Sequence, residues 1–318
     1  MNELTIYAEY RKLYEEHIVK KANVHIIRYS PQKHNYEYKP FSHKADPNAI
    51  EQLSKLIIDN LVFYTFSEEE IVYQNSNYGI LEDLYAAAKY AYNERLPKRK
   101  DPKKDGTTGE VLLDILIQVF EPMSQKLIAR AKYKQQSDNN EIKGYDALYF
   151  TKYNNDISLW LGQVKTGSCY YCKSKIVEDL NSKYILKYFC NSLFYLADKA
   201  DKSNELKSLL DEINKIFYNS YKNKWDDKTK QKAVIDLLNS KNVKIKIPCL
   251  LAYTEDIYLN EADLDANIKK CVNEMINEFD TKNFLIDKDL EYELIFCIFP
   301  VKNINDLRTK ITDFNKGV

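Results

Sequence analysis

Residues 144–167 read GYDALYFTKYNNDISLWLGQVKTG, and the fold is built around this stretch. Two runs of alternating apolar and polar residues flank a polar break, NND at 154–156, which predicts a β-hairpin. Because side chains two apart on a strand point to the same face, Gln163 and Lys165 share one face of the second strand. Antiparallel pairing then brings Asp146, near the start of the first strand, opposite this end of the second.

Three polar side chains therefore converge at one end of a sheet that is otherwise built from Tyr, Leu, Phe, Ile and Trp. Burying such groups without partners costs several kcal/mol, so something must offset that cost. A divalent metal ion with a bound phosphate is one candidate. Taken alone, Gln-X-Lys is a weak pattern, and each of the three residues is also typical of an exposed polar position.

The rest of the chain alternates helical and strand periodicities. Helices are predicted from Thr107 to Pro122, from 303 onward, and at 47–64, 78–94, 173–198, 203–219, 228–240 and 261–280. Strands are predicted at 23–30, 243–254 and 290–301, and 126–136 is ambiguous. This order favours an α/β or α+β fold, with a mixed sheet flanked by helices. We expect an N-terminal mixed, partly helical region at 1–105 and a core at 106–318, forming one compact unit.

Composition limits the possible functions. The chain has 318 residues, 44% hydrophobic and 30% charged, which is enough for a sizeable core. Its formal net charge is zero, so contact with nucleic acid needs a local basic patch. We expect a cytoplasmic protein that does not enter a membrane, since we find neither a signal peptide nor an apolar run of ~20 residues. Its six cysteines are expected to be reduced thiols, including Cys169 and Cys172 of the CYYC pair.

The order of these features resembles the core of the PD-(D/E)XK nuclease superfamily. In that order, a helix with an acidic residue, here Glu110, precedes a strand with an aspartate, here Asp146. A strand with (D/E)-X-K follows, and here it carries Gln163 and Lys165. The glutamine departs from the commoner glutamate, although Mrr-type restriction nucleases carry a Gln-X-Lys version. The resemblance implies a nuclease-like core, to which the helices predicted before residue 106 add an N-terminal helical elaboration.

Three motifs make a closer resemblance: TGEVLLDILIQVF at 108–120, KGYDALYF at 143–150 and LWLGQVKTG at 159–167. They are similar, in the same order, to motifs of the HamA family, the nuclease subunit of the Hachiman anti-phage system. This resemblance implies an antiviral DNA nuclease that works with a helicase subunit, HamB. It also implies that the partner restrains the nuclease until damaged or foreign DNA is engaged.

The resemblance also implies roles for individual residues. Asp146 is expected to be the primary ligand of Mg²⁺ or Mn²⁺, which prefer oxygen ligands. The Gln163 side-chain oxygen, the Val164 carbonyl and Glu110 are expected to supply further ligands. Lys165 is expected to orient or help deprotonate the attacking water and to balance phosphate charge, while the metal polarises the phosphodiester. Because Gln163 removes one negative charge, we expect weaker Mg²⁺ binding than with glutamate. No small-molecule cofactor is expected.

Glu110 has a second interpretation. In TTGE at 107–110, Thr107 would cap the helix and Glu110 would bond back to its backbone, as in a capping box. Alternatively, Thr108 is the cap and Glu110 is free for the site. Asp114, one turn further on, is interpreted as a satisfied structural acid, with a supporting role at the site as the alternative.

The densest positive stretch is the loop RLPKRKDPKKDG at 95–106, directly before the acidic helix. Such a loop is commonly a solvated linker, but its position suggests phosphate contacts from Lys98, Arg99, Lys103 and Lys104. The leading hypothesis is thus a metal-dependent DNA nuclease. The alternatives are a catalytically silent, nuclease-like subunit that binds DNA or a partner, an Mrr-like restriction nuclease, and a plain interaction subunit.

Overall fold

The computed structural model describes residues 3–30, 32–97, 106–133, 144–154, 156–200 and 204–316. Its strands are β1 (Ile26–Arg28), β2 (Gln32–Lys33), β3 (Glu37–His43), β4 (Gln125–Lys126), β5 (Ala147–Tyr153), β6 (Asp156–Gly167), β7 (Val243–Thr254) and β8 (Tyr292–Val301). They form one sheet in the order β1-β3-β8-β7-β6-β5-β4, and β2 pairs with β3.

Four neighbouring strands of this sheet, β3, β8, β7 and β6, run parallel to one another. Antiparallel strands lie at both edges, β1 and β2 against β3, and β5 and β4 beyond β6. Residues 247–253 of β7 are all buried, because helices cover both faces of the parallel strands. The sheet is therefore mixed, as the sequence predicts.

The helices are α1 (Glu3–Tyr14), α2 (Lys20–His25), α3 (Ala49–Thr65), α4 (Glu68–Tyr78), α5 (Leu84–Tyr90), α6 (Thr107–Phe120), α7 (Cys169–Lys183), α8 (Leu186–Lys199), α9 (Asn204–Lys222), α10 (Asp227–Ser240), α11 (Glu261–Phe279) and α12 (Ile304–Lys316). Short π-helical segments follow α1 (Glu15–Val19) and α5 (Ala91–Arg95), and a 3₁₀ helix (Arg130–Tyr133) follows β4.

Two apolar cores lie on opposite faces of the sheet. Helices α7 to α11 pack in the first core, and α1, α3 to α6 and α12 pack in the second. Strand β6 contributes to both, with Leu159 and Leu161 in the first and Trp160 and Val164 in the second. By this alternation, Gln163 and Lys165 belong to the face covered by α7, whereas α6 covers the other face.

The hairpin and the mixed sheet flanked by helices are confirmed, and the predicted strands at 243–254 and 290–301 correspond to β7 and β8. The helix predicted at 78–94 is wrong in its first part. Helix α4 ends at Tyr78, Gly79 adopts the left-handed conformation with φ 59°, and α5 begins only at Leu84. Helix α4 was not predicted from the sequence, although Ser67 and Glu70 form a capping box at its start.

Two smaller predictions also need correction, and one strand was not predicted. The first predicted helix begins at Ala49 rather than at 47. The helix predicted at 173–198 is two helices, broken near Tyr184, whose buried hydroxyl donates to the Leu161 carbonyl at 2.6 Å. Strand β3 was missed because its sequence, EYKPFSH, lacks a strand pattern, and its parallel pairing with β8 orders it.

Among the described residues, no helix has the length and apolarity to cross a membrane.

Candidate active site

The β5–β6 hairpin holds Asp146 against the backbone of β6. The paired register ends with Ala147 opposite Gly162, and the Asp146 amide then donates to the Gly162 carbonyl at 2.9 Å. The Val164 amide donates to Asp146 Oδ2 at 2.8 Å. The carboxylate therefore occupies the place of a strand carbonyl, which keeps it at the rim of the sheet, between the two faces.

Asp146 has an elevated pKa. Burial, followed by the negative charge of Glu110, raises its pKa to about 6, while the charges of Lys183 and Lys165 and the Val164 amide act in the opposite direction. Glu110 is on α6 and so reaches Asp146 from the other face of the sheet. Both carboxylates line one cleft at this end of the sheet, where they form an acidic pair.

Close packing of α6 on β6 brings Glu110 to this edge. A Cβ on Gly109 would overlap both Thr166 Cγ2 and Val164 Cγ1, so the helix approaches the strand at this point only because residue 109 has no side chain. The next residue along the helix is Glu110. Glycine at 109 thus sets the distance between the acid-bearing helix and the strand that carries Lys165.

Two residues from other parts of the chain hold the Glu110 carboxylate, whose side chain is only 5% exposed. Tyr64 of α3 donates its hydroxyl to Oε2 at 2.5 Å, and Arg130 pairs with the same oxygen at 2.8 Å. A buried carboxylate needs such partners to remain charged. These contacts orient Glu110 in its place beside the hairpin.

The capping interpretation of Glu110 is wrong. Gly106 is the N-cap of α6, so Thr107 and Thr108 both lie inside the helix. The Glu110 amide donates to the Gly106 carbonyl at 3.0 Å, as in a regular first turn. Local sequence favoured the box, but tertiary packing of α6 gives the carboxylate other partners.

Gln163 is fully buried on the face that α7 covers. Its side-chain Nε2 donates to the Gly162 carbonyl at 3.0 Å, and its Oε1 accepts from Lys183 Nζ at 2.5 Å. The oxygen expected to bind a metal is thus in contact with a cation. A neutral glutamine can occupy this site without the electrostatic pairing that a glutamate would require.

Lys165 lies on the same face and pairs with a carboxylate on α7. Its Nζ is 2.6 Å from Asp179 Oδ2, and Lys183 Nζ is 3.1 Å from the same oxygen. Burial acts to lower the pKa of Lys165, but the hydrogen bond and charge of Asp179, together with Asp146, outweigh it and raise the pKa. Lys165 is therefore an ammonium ion at neutral pH.

Asp114 lies one turn beyond Glu110 and is almost fully buried. It accepts from Asn60 at 2.6 Å and Gln118 at 2.9 Å, and also from the Tyr149 hydroxyl. Burial raises its pKa to about 6 despite the opposing charge of Lys126 and these hydrogen bonds. Its hydrogen bonds are those of a satisfied structural acid, although it lines the same cleft as Glu110 and Asp146.

The structure thus brings the predicted residues together in two groups that meet at Asp146. Asp146 and Glu110 line one small cleft, together with the basic Arg130. Gln163 and Lys165 lie on the α7 side and contact residues of that helix.

Sequence reasoning missed four residues that contact this group: Tyr64, Arg130, Asp179 and Lys183. The i,i+4 spacing of Asp179 and Lys183 on a helix directly after the strand was a readable signal. Tyr64 and Arg130 lie at sequence positions that carry no comparable signal.

Other predicted features have separate outcomes. Lys98, Arg99, Lys103 and Lys104 lie outside the described residues. All six cysteines are free thiols, so Cys169 and Cys172 are unlinked as predicted.

Within the described ranges, no cluster of three or more His, Cys, Asp or Glu side chains could hold a metal ion. Glu110, Asp114 and Asp146 line one cleft, whereas residue 163 is a glutamine and adds no further acid.

A mixed sheet flanked by helices, with an Asp strand, a Gln-X-Lys strand and an acid-bearing helix meeting at one edge, defines an α+β protein with a nuclease-like core. The HamA family model matches residues 13–314, nearly the whole chain. The chain belongs to the HamA family, whose members are subunits of the Hachiman anti-phage defence system. No curated protein matches the chain.

Proposed function

We propose that this chain is the effector of its defence system, a metal-dependent deoxyribonuclease that hydrolyses phosphodiester bonds in the cytoplasm with a helicase partner. The observation that carries the proposal is that Asp146 and Glu110 line one cleft, while Lys165 lies on the adjoining face of the same strand end. Two acids and a cation in this arrangement suit binding and cleavage of a phosphodiester.

The acidic pair fits a hard divalent cation, Mg²⁺ or Mn²⁺. Glu110 raises the pKa of Asp146, and a cation between the two carboxylates would relieve that repulsion. Asp146 and Glu110 would hold the ion. Gln163 fits this role less well, because its oxygen accepts from Lys183, so it would contribute only if Lys183 moved. When bound, the ion would polarise the phosphate and lower the pKa of a water molecule.

The remaining chemistry falls to side chains on the hairpin and on α7. Since Lys165 is held as an ammonium ion, it would balance phosphate charge and orient the attacking water rather than take its proton. Asp179 would hold Lys165 in place. Arg130, paired with Glu110 at the cleft, would keep that acid ionised and add positive charge for DNA.

DNA and the helicase partner belong to the same proposal. The zero net charge of the chain favours a nuclease that receives its DNA from a partner. The loop residues Lys98, Arg99, Lys103 and Lys104 would add phosphate contacts close to the start of α6.

Plasmid degradation tests the proposal. The purified chain, alone and with a helicase subunit of the Hachiman type, is incubated with Mg²⁺ or Mn²⁺, in parallel with Lys165→Ala and the control Lys175→Ala. The Lys175 side chain is 43% exposed and, in the part of the chain described, forms an ion pair only with Glu178 on α7. We expect Lys165→Ala to abolish cleavage and Lys175→Ala to retain it. Equal cleavage by the Lys165 variant would refute this site.

A second candidate is a catalytically silent, nuclease-like subunit that acts by binding DNA or its partner. The contacts of Gln163 with Lys183 and of Lys165 with Asp179 favour it, because they satisfy both side chains without substrate. In that case neither metal nor helicase would elicit cleavage, while Lys165→Ala would still form the complex.

A further inference from the structure

Helix α9 carries an exposed stripe of tyrosines and lysines that its packing does not use. Ile213, Phe217 and Ser220 form its buried stripe, at helical spacing. Lys215, Tyr218 and Lys222 form a second stripe at the same spacing, and all three are exposed. The helix is thus packed on one side and presents an aromatic and basic surface on another.

The aromatic residues at the end of this helix are strongly exposed. Tyr218 is 69% exposed and Tyr221 is 83% exposed, and Trp225, in the turn to α10, is 36% exposed. The buried side of α9 has its own ring contact, since Phe217 stacks on Phe194 with centroids 4.3 Å apart. Three large aromatic side chains left exposed between positions 218 and 225 indicate a binding surface.

Three lysines that form no ion pair among the described residues lie close to these rings in the sequence. Across the described ranges, no ion pair involves Lys215, Lys222 or Lys224. The two neighbouring acids have partners of their own. Asp226 caps α10 by accepting from the Thr229 amide at 2.7 Å, and Asp227 pairs with Lys187 and Lys230. Positive charge at the turn therefore remains available for an anionic partner.

We propose that the α9 surface, formed by Lys215, Tyr218, Tyr221, Lys222, Lys224 and Trp225, binds single-stranded nucleic acid. Exposed rings stack on unpaired bases, and interleaved lysines follow the backbone phosphates. A duplex would hide the base faces that the rings need. A protein partner fits less well, because lysine is depleted at the centre of protein interfaces.

This inference deepens the proposed function, since a strand unwound by a helicase would be the ligand. It does not depend on cleavage, because binding is measured in a Lys165→Ala background without divalent metal. If wild-type protein fails to cleave plasmid but binds oligo(dT) through the two tyrosines, only the nuclease proposal fails. If cleavage occurs and the surface variants bind normally, only this inference fails.

Binding of a labelled 20-nucleotide oligo(dT) is followed by anisotropy, with the matching duplex as comparison. We expect Tyr218→Ala with Tyr221→Ala to weaken oligo(dT) binding by about 10-fold or more and to affect duplex binding little. We expect the triple variant Lys215→Gln, Lys222→Gln and Lys224→Gln to bind with a weaker salt dependence. The slope of log binding constant against log salt concentration should become shallower by about 2. The control Lys269→Gln with Lys270→Gln, two exposed lysines on α11, should change neither.

Trp225 gives an independent signal, because the other tryptophan, Trp160, is 2% exposed in the core. Oligo(dT) should quench tryptophan fluorescence, and Trp225→Phe should abolish the quenching. Unchanged affinity in the tyrosine variant, or absence of quenching, overturns the proposal. Variants that bind oligo(dT) normally but lose the helicase subunit in co-purification overturn it in favour of a protein interface.

Discussion

Lys165 Nζ lies 2.6 Å from Asp179 Oδ2, so the lysine of the hairpin is tied to the helix that follows it. The same carboxylate oxygen holds Lys183, which in turn donates to Gln163. Asp179 therefore connects both residues of the Gln-X-Lys pair to α7. This contact gives the first prediction.

Asp179→Asn should lower plasmid cleavage by about 10-fold and also lower stability. Removing the carboxylate lowers the pKa of Lys165, and because the two side chains are only 18% and 14% exposed, it leaves a mostly buried ammonium without its partner, at a cost of roughly 2 kcal/mol or more. Initial cleavage rates and thermal melts measure both effects. Glu178→Gln is the control, since Glu178 is the neighbouring acid and is 62% exposed. Faster cleavage by Asp179→Asn would mean that the pair restrains Lys165 instead of positioning it.

Gln163→Glu should tighten the apparent affinity for Mg²⁺ by about 10-fold. The new carboxylate would add a third acid beside Asp146 and Glu110, and Lys183 is placed to pair with it when no metal is bound. Cleavage rate is measured against Mg²⁺ concentration. The double variant Gln163→Glu with Lys183→Met should tighten the affinity further, because the competing cation is gone. An unchanged metal dependence in both variants would argue against a metal beside residue 163.

Asp146→Asn should stabilise the fold at pH 7.5 while abolishing cleavage. A carboxyl whose pKa rises on folding, here from 3.8 to about 6, favours the folded state only while protonated. Its stabilising effect is full below pH 4 and is lost as the pH rises through about 6. The variant should therefore exceed wild type by on the order of 1 kcal/mol at pH 7.5, and by less at pH 4.5.

Thermal melts of wild type and Asp146→Asn, which measure the stability difference above, also report metal binding at Asp146. Millimolar Mg²⁺ should raise the melting temperature of the wild type, because a ligand that binds only the folded state stabilises it. Asp146→Asn should lose this shift, whereas Asp313→Asn, an acid on α12, should keep it. A full Mg²⁺ shift in the Asp146 variant would place the ion elsewhere.

Gly109→Ala should lower stability by roughly 2 kcal/mol and reduce cleavage as well, because the added methyl forces α6 away from β6 and moves Glu110. Combining it with Thr166→Ser removes one of the two clashing methyl groups and keeps the hydroxyl that accepts from Arg308. We expect the double variant to recover part of both losses. Urea melts and cleavage rates measure them, with Thr166→Ser alone as the reference.

The hairpin could be predicted because its information is local. Alternation with a period of two sets which side chains share a face, and a short turn sets the register, so the meeting of Asp146 with Gln163 followed from residues 144–167. The same reasoning failed at 78–94, where a single left-handed glycine ends one helix and the periodicity continues in the next. Strand β3 depends on pairing with a strand some 250 positions away and has no local signal.

By itself, the sequence determined the order of elements, the hairpin and the face shared by Gln163 and Lys165. Only the tertiary structure decided which charges surround them. Asp179 and Lys183 come from α7 on one face, and Glu110 comes from α6 on the other, held by Tyr64 and Arg130. The physical reason is range: strand periodicity acts over neighbouring residues, whereas ion pairs and buried hydrogen bonds depend on how the helices pack against the two faces of the sheet.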